Sequence, residues 1–223
     1  MKKLYRAGIF FLCFVLLTLC SCAKKPVQSP AAAVIKTVTD TRGKTYKALV
    51  DENGFLMCDS QGNMIITAED GNKNPVKNEQ GEYVTKKVTF PQILSVENEI
   101  HTEFFKVAIP DNWQNKSGDL VKLVCTENGK TAEITINERA SMSSINCVKE
   151  IEDMLSELGE VKKDNVDFSF ATATRLQLEN KITVYVFTAE GRTYFVKFTA
   201  DKELFEKINF QEIVNTIKFR KGE

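Results

Sequence analysis

The chain has 223 residues, with 30 basic and 30 acidic side chains, 43% hydrophobic residues and one histidine. That balance excludes the basic excess that drives nucleic-acid binding, while the apolar content is enough for a globular core. The sequence holds no G-x-S-x-G, H-E-x-x-H, G-x-x-x-x-G-K-[ST] or G-x-G-x-x-G, which removes the common hydrolase, zinc and nucleotide signatures and leaves no cofactor to expect.

Lys2, Lys3 and Arg6 precede an uncharged, Leu- and Phe-rich run over residues 7–19. The run is short of the roughly 20 apolar residues of a membrane span and suits the apolar region of a secretory signal. Leu19-Cys20-Ser21-Cys22 follows. These residues resemble the bacterial lipobox, in which a branched apolar residue, a tolerant position and a small residue precede an anchoring cysteine. The departure is Cys20, which fills the tolerant position. The resemblance implies diacylglycerol on the Cys22 sulfur, cleavage before Cys22 and often an acylated new N-terminus. Cys20 is a rival anchor, but bulky Leu19 would then stand where a small residue belongs. An uncleaved helix and an ordinary secretory signal are the other readings. One acyl chain binds a bilayer marginally and two or three hold firmly. The expectation is therefore a signal peptide over residues 1–21 and an extracytoplasmic protein anchored by lipid to the bacterial cell membrane or outer membrane. Loss of three basic residues with the leader leaves 27 basic against 30 acidic side chains, a net charge of −3.

Residues 22–36, with Lys24, Lys25, Pro26, Pro30 and four alanines, read as a flexible tether. Beyond Cys22 three cysteines remain: Cys58, Cys125 and Cys147. Cys125 with Cys147 is the one pairing considered; three small buried hydrophobes is the preferred reading.

A repeat follows. Asp40-Thr-Arg-Gly43, Asp59-Ser-Gln-Gly62 and Asn78-Glu-Gln-Gly81 recur every 19 residues, with Asp51-Glu-Asn-Gly54 and Asp70-Gly71 between them. Asp or Asn caps its own turn and Gly takes the positive φ that ends it. Residues 37–90 therefore read as successive short hairpins, a meander with thin apolar faces that is poorly stable alone. The EF-hand spacing is absent, so these acids read as turn chemistry and not as a calcium site.

Residues 92–221 carry most of the apolar mass. The pattern predicts strands over 104–109, 120–126 and 132–138, with Asn128-Gly129 as a hairpin turn. Pro110 ends the first strand. Ser143 or Ser144 caps a helix whose inner face is Ile145, Val148, Ile151, Leu155 and Leu158 and whose stop is Gly159. Strands over about 166–178, 181–189 and 192–199 follow, turning at Glu179-Asn180 and Glu190-Gly191. Short helices near Leu204–Ile208 and 211–215 and a closing strand over 216–219 complete an α+β domain with an antiparallel sheet and flanking helices.

This order, with Ile109-Pro110-Asp-Asn-Trp113 at its head and Phe210-x-x-Ile213-Val214-x-Thr216-Ile217-Lys218-Phe219 at its end, resembles the PsbP and DcrB-like superfamily, which includes the Mog proteins. The resemblance covers about the last 130 residues. It implies an antiparallel sheet sandwiched between helices (an α/β/α sandwich) and an accessory or binding role. It carries no catalytic residues.

His101 is the one histidine, and it reads as a surface residue at a strand start beside Glu99 and Glu103. Trp113 reads as a core-edge residue or the anchor of an interaction surface. Three readings stay open. The first is a lipid-anchored, non-catalytic accessory protein with a protein partner in the envelope. The second is an envelope hydrolase using His101, and the third a wall-contacting protein acting through the repeat.

Overall fold

The computed structural model describes residues 34–179 and 181–221, which lie in one compact unit. The leader, Cys22, most of the tether and Asn180 lie outside the described residues. The class is α+β and mostly antiparallel β, as the pattern predicts, in two sheets.

The first sheet begins with β1 (Val34–Asp40), already a strand where the sequence reads as tether, then β2 (Thr45–Val50), β3 (Asn63–Thr67) and β4 (Thr85–Thr89). Five side chains shape this region in the same way. Asp40, Asp51, Asp59, Asp70 and Asn78 each accept through Oδ1 from the backbone amides two and four residues on, at 2.8–3.1 Å. The amide three residues on returns to the carbonyl of the same residue. The position so held takes positive φ: Gly43, Gly54, Gly62, Lys73 and Gly81. The fourth turn corrects the sequence reading, because its left-handed residue is Lys73 and not Gly71. β1 with β2 and β3 with β4 form ladders, whereas β2 meets β3 at one pair and the intervening chain bonds at single points. Met57 donates to Leu49 and Ile65 to Met57; 19 residues further on, Ala68, Val76 and Val84 close a cycle of three such bonds.

The same sheet continues past residue 91. β5 (Leu94–Val96), β6 (Glu99–His101), β7 (Phe105–Ala108) and the last strand, β15 (Lys218–Phe219), extend it to eight strands in the order β15-β7-β6-β5-β1-β2-β3-β4. The thin apolar face of the repeat is completed by Leu94 and Val96, which bury with Val38, Ala48, Val50, Leu56 and Met64.

The second sheet has seven strands in the order β11-β12-β13-β14-β10-β9-β8. They are β8 (Trp113–Asn115), β9 (Val121–Glu127), β10 (Lys130–Arg139), β11 (Val161–Asp167), β12 (Thr172–Leu178), β13 (Ile182–Ala189) and β14 (Arg192–Ala200). Asn128 and Gly129 both take positive φ and join β9 to β10, as the Asn-Gly pair predicts. The single strand expected over 166–178 is two, β11 and β12, because the chain reverses where the Phe168 amide meets the Ala171 carbonyl.

Alternation divides this sheet between two cores. Leu176, Leu178, Val184 and Val186 face helix α1 (Ser144–Ser156). Ala173, Tyr185, Phe187, Tyr194, Val196 and Phe198 face the other way and bury with Ile100, Phe105 and Val107 of the first sheet. Phe210, Ile213 and Val214 of α3 (Phe210–Asn215) join that core, while Leu204 of α2 (Lys202–Lys207) covers Cys125 and Ala132.

Ser143 Oγ caps α1 by accepting from the Asn146 amide at 3.3 Å. The buried face is Cys147, Val148, Ile151 and Leu155. Ile145 and Leu158, assigned to that face by spacing, are 79% and 68% exposed. They stand at the two ends of the helix with their side chains turned to solvent. Gly159 is not a left-handed cap: the helix closes at Glu157 in right-handed geometry, and Gly159 follows with φ +156°.

Candidate functional site

One turn of the first sheet is gripped by cationic side chains from β7 and from the residue after β15. Arg220, directly after β15, donates from Nη2 to the Leu56 carbonyl at 2.7 Å and from Nε to the Glu103 carbonyl at 2.9 Å. Lys106 in β7 donates to the Gly54 carbonyl at 3.3 Å. Both cations lie near the Phe55 ring, at 5.3 and 5.4 Å from its centroid. Two cationic side chains thus hold the Asp51–Phe55 turn, one 52 and the other 164 positions from the residue it bonds.

Beside this turn opens a cleft of about 560 Å³. The repeat supplies one wall, with Asp51, Cys58 and Asp59; the tips of β14 and β15 supply the other, with Arg192, Tyr194 and Arg220. Arg192 lies 3.7 Å over the Phe104 ring and pairs with Glu138. Tyr194 is 1% exposed, and its ring sits among Phe105, Phe187 and Phe219. Its hydroxyl is buried and has no hydrogen-bond partner among the described residues. Burial, with Glu138 close by, drives the Tyr194 pKa up, so the group stays protonated and can donate. Burial also raises the Cys58 thiol, which leaves it a thiol and not a thiolate nucleophile at neutral pH. The Lys87 ammonium at 3.0 Å, together with the turn amides, holds the Asp59 carboxyl far below its ordinary value. A second cleft, of about 360 Å³, lies on the far side of Phe104 and is lined by Phe90, Leu120 and Glu138.

His101 contradicts the surface reading. It is 1% exposed in β6, with Nε2 at 2.9 Å from Glu99, and Lys106 reaches the same Glu99 oxygen at 3.4 Å. Burial lowers the His101 pKa against the pull of Glu99. His101 and Glu99 line neither of the two clefts just described. Trp113 is half-buried in β8 and packs against Cys125, Ala132 and Leu204, which puts its ring at the core edge. Cys58, Cys125 and Cys147 are free thiols; Cys125 and Cys147 belong to separate apolar clusters. Among the described residues no three His, Cys, Asp or Glu side chains gather into a metal site.

Sequence reasoning singled out neither Arg220 nor Tyr194. The cleft draws on residues near 51–62, 103–104, 190–194 and 220, which share no local motif. The one available signal was an arginine directly after a closing strand.

No protein-family model, curated protein or solved structure matches the chain. No helix among the described residues is long and apolar enough to cross a membrane.

Proposed function

We propose that the chain is a bacterial envelope lipoprotein, anchored through diacylglycerol on Cys22, and that it works as a non-catalytic accessory or binding module. The observation that carries this reading is Leu19-Cys20-Ser21-Cys22, in register behind an uncharged run and a basic start. The described unit begins at Val34, so the eleven residues 23–33 set its distance from the anchor. Fully extended they span at most about 40 Å, which keeps the module near the bilayer that holds it.

A binding role draws support from the arrangement of the polar groups. His101, the one histidine, is buried and bonded to Glu99, and it lines neither cleft. The cleft beside Arg220 offers donors without an activated nucleophile, since burial keeps the Cys58 thiol protonated. We further infer kinship of residues 92–221 with the PsbP and DcrB-like superfamily. Its support is an antiparallel sheet with α1 on one face and α3 against the other.

Metabolic labelling with palmitate tests the anchor. Label enters the wild-type chain and is lost in Cys22→Ala, which leaves the membrane fraction. Equal labelling of the two proteins overturns the proposal.

A further inference from the structure

We propose that the cleft between the Asp51–Gly62 turns and the β14–β15 tips is a binding site for a small molecule bearing one oxyanion, a carboxylate or a phosphate. Two independent observations carry it. The first is Arg220. Its guanidinium is oriented by two carbonyls, those of Leu56 and Glu103, and by the Phe55 ring, and it makes no salt bridge among the described residues. Carbonyl dipoles orient a guanidinium without neutralising it, so Arg220 brings a fixed positive charge and an unspent Nη1 to the cleft. The second is Tyr194. A buried hydroxyl with no partner carries an uncompensated cost, and this one belongs to a residue lining the same cleft. An oxyanion that accepts from both would satisfy the hydroxyl and pair the guanidinium. The cleft is within the 300–1,000 Å³ range of small-molecule sites.

Carboxylates also border the cleft, and they restrict what enters. Asp59 is held by Lys87, and Asp51 is tied through Oδ1 to the Asn53 and Phe55 amides. The Glu103 carboxylate lies against the Gly62 turn, and Glu190 stands at the β13–β14 tip. With Arg192 bonded to Glu138, these four acids outnumber Arg220 and Lys221, and the net negative charge opposes a polyanion. It favours a ligand whose remaining body is neutral, hydroxylated or cationic. The site does not depend on the anchor, so its failure and that of the lipoprotein reading are separable.

The test is calorimetric titration and thermal unfolding of the full chain in detergent micelles with three probes: inorganic phosphate, glycerol 3-phosphate and glycerate. The expected result is saturable binding of at least one probe, with an unfolding temperature that rises with its concentration. A preference for the phosphates or for glycerate identifies the source of the oxyanion. Tyr194→Phe removes one oxygen that has no partner among the described residues. It is expected to leave the ligand-free unfolding temperature unchanged or raised and to weaken binding about ten-fold or more. Arg220→Gln is expected to abolish binding, and Cys22→Ala to leave it unaltered. No binding of any probe up to about 10 mM, where even a weak site would register, overturns the proposal. So does equal affinity in wild type and Tyr194→Phe.

Discussion

Arg220 Nη2 and the Leu56 carbonyl are 2.7 Å apart, although the residues are separated by 164 positions in the chain. This bond fastens the residue after β15 to the turn repeat, and the one to Glu103 fastens it to the β6–β7 turn. Charged donors make stronger hydrogen bonds than neutral ones. Arg220→Ala is therefore expected to lower global stability by about 2 kcal/mol. Amide hydrogen exchange should show faster opening of residues 51–62 than of β12–β14. Uniform loss of protection across both sheets would argue against a local clasp.

The fourth turn of the repeat carries Lys73 at φ 63°, where the other four carry glycine. A side chain in the left-handed region costs about 1–2 kcal/mol, part of which glycine returns through its unfolded-state entropy. Lys73→Gly is expected to stabilise the protein by up to about 1 kcal/mol, as read from chemical denaturation. Gly62→Ala should do the reverse. It combines φ 77° with a Cβ placed 2.9 Å from the Glu103 carboxylate.

His101 gives a pH dependence whose sign is fixed. Its folded pKa lies below the ordinary 6.5 because burial opposes the charge, as do Lys106 and Lys36, while Glu99 pulls the other way. The unfolded chain thus binds a proton that the folded chain refuses. Stability is at its full value above about pH 6.5 and declines as pH falls from there toward the lowered folded value. His101→Gln should flatten this slope between about pH 5 and 7, measured by denaturant midpoints at each pH. An unchanged slope would show that other groups govern it.

The inner face of α1 separates two kinds of apolar residue. Ile151 is 8% exposed and lies over β12 and β13, whereas Leu158 is 68% exposed. Ile151→Ala is expected to cost about 2–4 kcal/mol and Leu158→Lys less than about 0.5 kcal/mol.

These contrasts mark what the sequence could disclose. The repeat was legible because Asp and Gly at a fixed spacing are a local device, and each Asp closes its turn within four residues. Lys73 was not, since Gly71 lay nearby and attracted the assignment. The α1 pattern gave the right element but overran its inner face, because spacing alone does not say which residues at a helix end turn to solvent. β5, β6 and β8 have three residues each, too few for alternation to register. Without them the first sheet could not be seen to run from the repeat into β7. The His101 environment followed from that omission, since β5 and β7 are the strands that flank it.

The account rests most heavily on Cys22 as a lipid anchor, and the intact mass of the mature N-terminal peptide, isolated from membranes of the native host, tests it most directly. The account predicts a peptide that begins at Cys22 and carries diacylglycerol on its sulfur. A peptide that begins elsewhere, or one whose Cys22 is an unmodified thiol, would contradict it.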